Sequence, residues 1–257
     1  MIEILITPDM SEKGTRILRA LASTCPQPSR IVSQPTGAAE VLMLYGVGAP
    51  ARKGLADAQL ARGKKLVVWD LGYFAQQYVI GGMRFSVDQG HPAHLLDLAP
   101  ADGARWDRLQ IPLRDDYDPK GPIILVGLGP KTRAVVQDKN WENLKFTQLR
   151  RRFPSKRIIF RPKPRRTHPM LPCEVDAHSP IEKVLKGASL VVVRHSNVAC
   201  DAVLAGIPYE ASDGAVKWLD GKPYSRENRL EFLQRLMYFN WLPDEAAKAW
   251  GMVLKCL

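Results

Sequence analysis

One strand–turn–helix segment constrains the fold of this chain most. Leu190–Val193 is a short apolar run without polar alternation, which is typical of a strand buried on both faces of a parallel sheet. The polar residues 194–197 follow at once, and a helical stretch then continues to Gly206, with Ser196 or Asn197 suited to cap it. Such a strand end points backbone N–H groups into a crevice that favours an anion such as a diphosphate. The alternative is an ordinary strand–helix unit with a good cap.

The charge of the chain favours a polyanionic partner. The 257 residues carry a formal net charge of +11 at pH 7, and the pI is about 9.6. This balance favours nucleic acid, an anionic membrane or a phosphorylated substrate, with simple solubility as the alternative. The apolar content of 46% is enough for a sizeable core, and the length allows one large domain or two small ones.

The cysteines and the N-terminal residues indicate a cytoplasmic protein. Four cysteines lie far apart and predict neither a zinc site nor a disulfide framework, so we expect reduced thiols and no bound metal. Residues 2–6 are expected to form a strand rather than part of a signal peptide. No apolar run approaches the roughly 20 residues that a membrane span needs, so no membrane span is expected.

Strands and helices alternate along the chain in two successive cycles, separated by the polar, proline-containing residues 110–121. The Asp115-Asp116 pair in this linker is expected to be solvated. We predict an α/β fold with two Rossmann-like domains facing a central cleft, residues 1–115 and 120–257, with the C-terminal helices packing back on the first domain. The predicted strands are residues 2–6, 41–45, 66–69, 123–126, 157–160, 190–193 and 207–210; the predicted helices begin at Ser11 and cover 51–62, 141–153, 181–186, 198–205 and 226–239, and a last helix opens at Pro243.

Polar clusters follow three predicted strands of the second domain. Because ligands of parallel α/β sheets bind at the carboxyl ends of the strands, we expect these clusters to meet at one anion site. Glycines allow a phosphate to approach the backbone, and a carboxylate beside a diphosphate commonly accepts hydrogen bonds from ribose hydroxyls. Each cluster also has a simpler explanation. The glycines could form a tight turn, Arg161 and Lys163 could belong to a solvated basic loop, and Asp201 could stabilise a helix N-terminus by its charge. The candidate residues are Gly127, Gly129, Lys131, Arg161, Lys163, Arg194, His195, Ser196, Asn197 and Asp201.

A dense basic segment lies between Lys131 and Arg166. It contains thirteen cations, and only Asp138 and Glu142 oppose them. A helix face with this charge could follow a phosphate backbone, and the alternative is a solvated face together with cations for a phosphorylated ligand. The candidate nucleic-acid-binding residues are Arg133, Lys145, Arg150, Arg151, Arg152, Arg165 and Arg166.

The first domain offers candidates for a catalytic base. Asp70 follows a buried strand, and a carboxylate at a strand end can take a proton from an attacking hydroxyl. Asp88 and His91 offer a second acid and a histidine further on. Asp70 could equally cap a helix or pair with an arginine.

Several of these motifs resemble glycosyltransferases of the GT-B type. Arg-Pro-Lys-Pro at 161–164 and the Asp201 and Gly206-Ile207-Pro208 pattern are similar to the nucleotide-sugar half of such enzymes, although Lys163 stands where polysaccharide-type relatives have histidine. Trp-Asp-Leu-Gly-Tyr at 69–73, Gly-His-Pro at 90–92, Arg-His-Ser-Asn-Val-Ala at 194–199 and Asn-Trp-Leu-Pro-Asp-Glu at 240–245 together resemble small phage-encoded glycosyltransferases that modify hydroxymethylated DNA bases.

The resemblance implies an acceptor-binding first domain and a donor-binding second domain. It implies a UDP-sugar donor, most often UDP-glucose, whose diphosphate would meet Arg161, Lys163 and residues 195–197 and whose ribose would meet Asp201. It implies no tightly bound cofactor and no metal held by an Asp-x-Asp motif. The acceptor would be a 5-hydroxymethylcytosine-type base in double-stranded DNA, flipped out of the duplex, and we expect a monomer.

Two other readings stay open at this point. One is a transferase for cell-surface polysaccharide or a lipid-linked sugar. The other is a non-catalytic nucleic-acid-binding protein that keeps the transferase fold, against which the intact residues 194–197 and Asp201 argue.

Overall fold

The computed structural model describes residues 1–75, 77–129, 132–133, 140–163 and 167–257. In these ranges the strands are β1 (Ile2–Leu5), β2 (Ser29–Val32), β3 (Val41–Tyr45), β4 (Lys65–Leu71), β5 (Met83–Val87), β6 (Ile123–Val126), β7 (Ile158–Arg161), β8 (Glu174–Val175), β9 (Leu190–Val193), β10 (Tyr209–Ala211) and β11 (Asn240–Trp241). The helices are α1 (Glu12–Ser23), α2 (Pro50–Ala61), α3 (Ala104–Leu109), α4 (Trp141–Arg152), α5 (Ile181–Leu185), α6 (Val198–Ala205), α7 (Arg226–Met237) and α8 (Ala246–Cys256), with 3-10 turns at Ala93–Leu98, Ala215–Leu219 and Pro243–Glu245. Two compact units form: a first unit of Met1–Ile111 and Glu231–Leu257, and a second unit of Pro112–Leu230.

The first unit is built on a six-stranded sheet in the order β11-β5-β4-β3-β1-β2. Strands β1 to β4 are parallel, whereas β5 is antiparallel to β4 and β11 is antiparallel to β5. The expectation of a fully parallel Rossmann-like sheet is therefore wrong for this unit. The described residues between β4 and β5 form turns, and a parallel neighbour would require a crossover connection of a dozen or more residues, usually a helix.

Apolar faces of the helices cover this sheet. Helix α1 begins at the cap Ser11, whose side chain accepts the Gly14 N–H, and it buries Ile17, Leu18 and Leu21. Leucines and valines of β3 and β4 pack against Ala56 of α2. Strands β1, β3 and β4 are apolar at most positions because both faces of the sheet are covered there.

Glu245 anchors the last segment of the first unit. Its carboxylate accepts hydrogen bonds from the Arg105 guanidinium (3.1 Å), from Arg108 and from the Leu242 N–H (3.0 Å). The Arg105 guanidinium also lies 3.6 Å from the centre of a Trp241 ring. Burial raises the pKa of Glu245, but these hydrogen bonds and the attraction of Arg105 outweigh burial and bring the pKa down to about 2.

The second unit is built on a five-stranded sheet in the order β10-β9-β6-β7-β8, with every strand parallel to its neighbours. This confirms the parallel sheet predicted for the second half of the chain. Apolar residues of β6, β7 and β9 pack with Trp141, Phe146 and Leu149 of α4 in one core. The chain passes from β6 to β7 on one side and later returns to β9 on the other, so β6 lies at a topological switch point.

The predicted linker is a packed part of the second unit. The backbone N–H groups of Arg114 and Asp116 donate to carbonyls of α6, at 2.9 Å and 2.7 Å. Asp115 binds Arg226 and Arg229, although its side chain is 61% exposed, and Asp116 pairs with Arg114. Asp115 is thus solvated as expected but also binds two arginines, whereas Asp116 is only 24% exposed.

None of the helices in the described ranges combines the length and the apolar character needed to cross a membrane. Within the same ranges, no group of three or more His, Cys, Asp or Glu side chains is placed to hold a metal ion.

Candidate functional site

Three loops leave the carboxyl edge of the second sheet side by side. Strands β9, β6 and β7 are immediate neighbours, with Leu125 opposite Val192 and Val126 opposite Arg161. The residues that follow these strands, 127–129, 162–163 and 194–197, therefore start from one edge, at the switch point where parallel α/β sheets bind ligands. The structure thus brings together most of the predicted donor-binding residues.

Side-chain contacts tie these loops to one another. The Lys163 side chain passes Gly129 so closely that a Cβ on this glycine would lie 3.4 Å from the lysine Cδ. Thr132 Oγ1 lies 3.3 Å from His195 Nε2 and joins the loop after β6 to the loop after β9. A Cβ on Gly127 would lie 2.9 Å from the Phe160 ring, so a larger residue here would require the ring or the loop to shift. The predicted residue Lys131 lies outside the described residues.

Helix α6 begins at the same edge. The Ser196 hydroxyl accepts the Val198 N–H at 3.3 Å, as predicted for a capping residue, and Asn197 occupies the position immediately before the first helical residue. The positive end of the helix dipole favours a negatively charged ligand at this edge, while the Val198, Ala199 and Cys200 N–H groups donate to Ser196 and Asn197. Arg194 lies on the same turn, where its carbonyl accepts the Asp213 N–H at 2.7 Å.

Asp201 is partly buried in the second unit. Its charged neighbours are Glu182 and Arg114. Burial raises the pKa of Asp201 to about 7, with Glu182 raising it and Arg114 lowering it. A carboxyl group with this pKa is partly protonated near neutral pH and can donate as well as accept a hydrogen bond. A contact between Asp201 and a ribose stays a prediction.

The Arg161 guanidinium binds the loop that follows β8. It donates to the Asp176 carbonyl at 2.8 Å and to the Ser179 carbonyl at 2.7 Å. The Asp176 carboxylate in turn accepts the Ser179 and His178 N–H groups, which lower the pKa of Asp176. Arg161 thus holds the loop after β8 in place, and its contact with a diphosphate stays a prediction.

Gly206 fits its motif for two physical reasons. It ends α6 in the left-handed conformation, with a φ of 73°, which favours glycine. A Cβ there would also lie 2.7 Å from Nη1 of Arg229, a buried arginine that donates to the carbonyls of Arg114 and Val203. Replacing Gly206 would therefore displace the arginine that fixes the end of α6.

Much of the basic segment is engaged within the second unit. Arg133 donates to the buried Glu142 and to the Thr167 carbonyl at 3.1 Å. Arg150 donates to the carbonyls of residues 154 and 156, and Arg152 pairs with Glu210 at 2.7 Å.

Several cations of this segment lie together on α4. Three arginines, 150–152, occupy the last turn of α4, where positive charge is favourable against the helix dipole. In the part of the chain that the structure describes, Lys145 and Arg151 have no ion-pair partner. The predicted residues Arg165 and Arg166 lie outside the described residues.

In the first unit, Asp70 lies near the carboxyl end of β4. Its Oδ2 accepts a hydrogen bond from Arg84 Nη2 at 3.3 Å, and its Oδ1 accepts the Leu71 N–H at 2.7 Å. The arginine partnership that the sequence left open is thus present. The Tyr45 hydroxyl is near: burial raises the pKa of Tyr45, and the Asp70 carboxylate raises it further. Asp70 keeps 41% of its side chain exposed and so stays accessible to a substrate.

Of the other two predicted catalytic residues, Asp88 is not brought to Asp70, whereas His91 directly follows Gly90, whose carbonyl accepts a hydrogen bond from the same Arg84 that binds Asp70. Asp88 accepts the Leu66 N–H at 2.9 Å and pairs with Lys65, at the amino end of β4. Asp70 lies four positions after Leu66 along the extended strand, so the two residues are about 13 Å apart. His91 is buried, with 8% of its surface exposed, so it offers little access to a substrate.

Sequence reasoning missed Thr132, Arg84 and Asn240. Thr132 directly follows the predicted Lys131, so extending the Gly-rich motif by one residue would have included it. Asn240 was part of a motif, but its contact is long-range: its side-chain amide accepts the Tyr73 N–H and donates to the Tyr73 carbonyl, both at 3.1 Å. Arg84 lies in the alternating apolar and polar run Met83–Val87, which is typical of a strand and could have indicated β5.

Known structures share this architecture. No protein-family model matches the chain, and no curated protein matches it in sequence. A β-Kdo 2,7-transferase structure of Thermosulfurimonas dismutans KpsC matches with a TM-score of 0.54 and 14% identity over 99% of both chains. The β-Kdo 2,4-transferase of the same protein matches with a TM-score of 0.55 and 12% identity, over 93% of this chain and 91% of that one. The chain has the fold of these transferases. The similarity to phage DNA glucosyltransferases gains no support from them.

Proposed function

We propose that this chain is a glycosyltransferase that adds an acidic sugar to a cell-surface polysaccharide or to its lipid-linked precursor. The observation that carries the proposal is the meeting of three loops at the switch point of the second sheet, in a fold shared with Kdo transferases. Kdo carries a carboxylate, so its polymers are polyanions. The net charge of +11 fits such a partner as well as it fits nucleic acid.

The second unit supplies the groups that a nucleotide-sugar donor needs. Lys163 and the positive end of the α6 dipole can stabilise the phosphate that leaves with the nucleotide, because both favour developing negative charge. Gly127 and Gly129 let a phosphate approach the backbone closely. In the transfer step, the acceptor hydroxyl oxygen bonds to the anomeric carbon while the bond from that carbon to the phosphate oxygen breaks. The phosphate keeps the electron pair, and the hydroxyl proton passes to the Asp70 carboxylate.

Transfer of glucose from UDP-glucose to hydroxymethylated DNA is the alternative that the experiment below tests. Several of the arginines predicted to contact DNA bind carbonyls or carboxylates of their own unit. A groove that follows a phosphate backbone needs such cations unpaired. The charge that favoured DNA is thus partly explained by the folding of the second unit.

The decisive experiment offers several donors and acceptors to the purified protein. We expect transfer from nucleotide-activated Kdo to a Kdo-terminated oligosaccharide, detected as a mass increment on the acceptor. Transfer of glucose from UDP-glucose to hydroxymethylated duplex DNA, and not to plain duplex, would establish the DNA reading instead. Binding of DNA without turnover of any donor would indicate a non-catalytic nucleic-acid-binding protein.

Two variants test the donor site and the base. Lys163→Ala is expected to weaken nucleotide binding in calorimetric titrations with CMP, UDP and GDP, whereas the matched control Lys183→Ala, at an exposed lysine of the same unit, leaves it unchanged. Asp70→Ala is expected to abolish transfer and to leave the nucleotide affinity nearly unchanged. Equal turnover in the Asp70 variant would remove this residue from the reaction.

A further inference from the structure

Three sequence motifs of the first unit converge on one arginine that none of them contains. Arg84 lies directly opposite Asp70 on one side and Asn240 on the other, across β4, β5 and β11. One of its terminal nitrogens donates to Asp70 and the other to the Gly90 carbonyl. Its guanidinium also lies 5.7 Å from the centre of the Tyr73 ring. The motifs at 69–73, 90–92 and 240–245 therefore share Arg84 as a common partner.

The arrangement fixes Asp70 without covering it. Arg84 is 6% exposed, and its backbone lies in the ladder between two strands. Asp70 receives one hydrogen bond on each oxygen, from Arg84 and from the Leu71 N–H. The turn that follows Asp70 is fixed as well, because the Asn240 amide binds both backbone groups of Tyr73.

This turn also shows how closely the motifs fit. A Cβ on Gly72 would lie 2.3 Å from the Asn240 Oδ1, so the glycine of the first motif is required by the asparagine of the third. A buried arginine is costly unless it binds acceptors, and here both terminal nitrogens of Arg84 donate, one to Asp70 and the other to the Gly90 carbonyl. A stable core alone does not require a buried cation beside a half-exposed carboxylate.

We propose that Arg84 is a positioning residue, which holds the Asp70 carboxylate in the orientation that the transfer reaction uses. This inference rests on the proposed function. Arginine suits the role because its planar fork reaches two acceptors in fixed directions, whereas lysine supplies one mobile point charge. Arg84 acts through Asp70 and need not touch the substrate.

The test compares Arg84→Met and Arg84→Lys with a matched control, Arg235→Met. Arg235 is a largely buried arginine of the same unit that donates to Glu231 and to the carbonyls of residues 96, 97 and 99. Two readouts are taken on each folded variant: the kcat and KM of transfer, and the amide resonance of Leu71 in the ¹⁵N–¹H spectrum. Leu71 reports the orientation of Asp70 without any need for activity, because its N–H donates to Asp70 Oδ1.

We expect Arg84→Met to shift the Leu71 resonance and to lower kcat about 100-fold with little change in KM, the size of effect that misplacement by about 1 Å produces. Arg84→Lys should recover part of kcat, and Arg235→Met should change neither readout beyond a loss of stability. An unmoved Leu71 resonance in Arg84→Met overturns the proposal, and so does a kcat equal to that of Arg235→Met. If the wild-type chain transfers no sugar to any acceptor, the proposed function fails, and the Leu71 resonance alone decides whether Arg84 orients Asp70.

Discussion

Replacing Glu245 with glutamine removes a charge from a nearly enclosed network of the first unit. The Glu245 side chain is 12% exposed and binds both Arg105 and Arg108. Its folded-state pKa of about 2, against an ordinary value of 4.5, corresponds to about 3 kcal/mol of folding free energy. We therefore expect Glu245→Gln to lower the free energy of unfolding by about 3 kcal/mol at neutral pH.

The pH dependence of this loss carries a definite sign. Because the folded-state pKa is the lower one, the stabilisation is complete above the unfolded-state pKa and disappears as the pH falls through the folded-state pKa. At about pH 3.5, the difference between the wild-type chain and the variant should narrow to about 2 kcal/mol. The difference should continue to shrink towards pH 2.

Urea unfolding followed by far-UV circular dichroism measures the effect. The matched control is Asp244→Asn, which removes the same charge from an exposed neighbour and should change the free energy of unfolding by no more than about 0.5 kcal/mol. A loss of less than about 1 kcal/mol for Glu245→Gln would refute the reasoning. So would a difference from the wild-type chain that does not vary with pH.

Three further predictions concern the second unit. Gly127→Ala should lower the free energy of unfolding by about 1–3 kcal/mol because its Cβ would meet an aromatic ring, whereas Gly129→Ala should be tolerated; thermal melts of both variants compare them directly. Arg229→Met should lower the free energy of unfolding by about 2–3 kcal/mol because it removes the donor to buried carbonyls. The control Arg226→Met, at an exposed arginine that binds the same carboxylate, should lower it by less than about 1 kcal/mol. Similar losses for the two variants in urea titrations would contradict this. Because burial raises the pKa of Asp201 to about 7, wild-type stability should fall as the pH rises from the unfolded-state value of 3.8 towards 7. Asp201→Asn should remove this fall and melt higher than the wild-type chain at about pH 8 but not at about pH 4, and parallel melting curves at the two pH values would speak against it.

The second unit was largely predictable because its signals are local. The apolar runs at β6, β7 and β9 each end in Gly, Pro or a capping residue, and the helix predicted at 141–153 is present as α4, Trp141–Arg152. Parallel neighbours then bring the strand ends to one edge, so the meeting of Gly129, Lys163 and residues 194–197 followed from fold class alone. Their ligand-binding roles stay predictions.

The first unit was harder to predict because its decisive contacts are long-range. Strand β5 alternates apolar and polar residues over Met83–Val87, a strand pattern that was not used, whereas β11 has only two residues and so shows no periodic pattern. The pairing of Arg84 with Asp70 and Asn240 depends on the register of three strands. A single sequence does not specify that register. The net charge favoured a DNA partner for a related reason: it does not show which cations bind carbonyls of their own chain.

The division of the chain into units also sets an order of synthesis. The first unit needs residues 231–257, which leave the ribosome only after the whole of the second unit has been made. Until then, the nascent chain lacks Asn240, whose amide binds both backbone groups of Tyr73, and β5 is an edge strand that pairs only with β4. The later unit can therefore finish folding before the earlier one. A translation product that stops near residue 230 would contain the loops 127–129, 162–163 and 194–197 but would lack Asn240 and β11 beside Asp70.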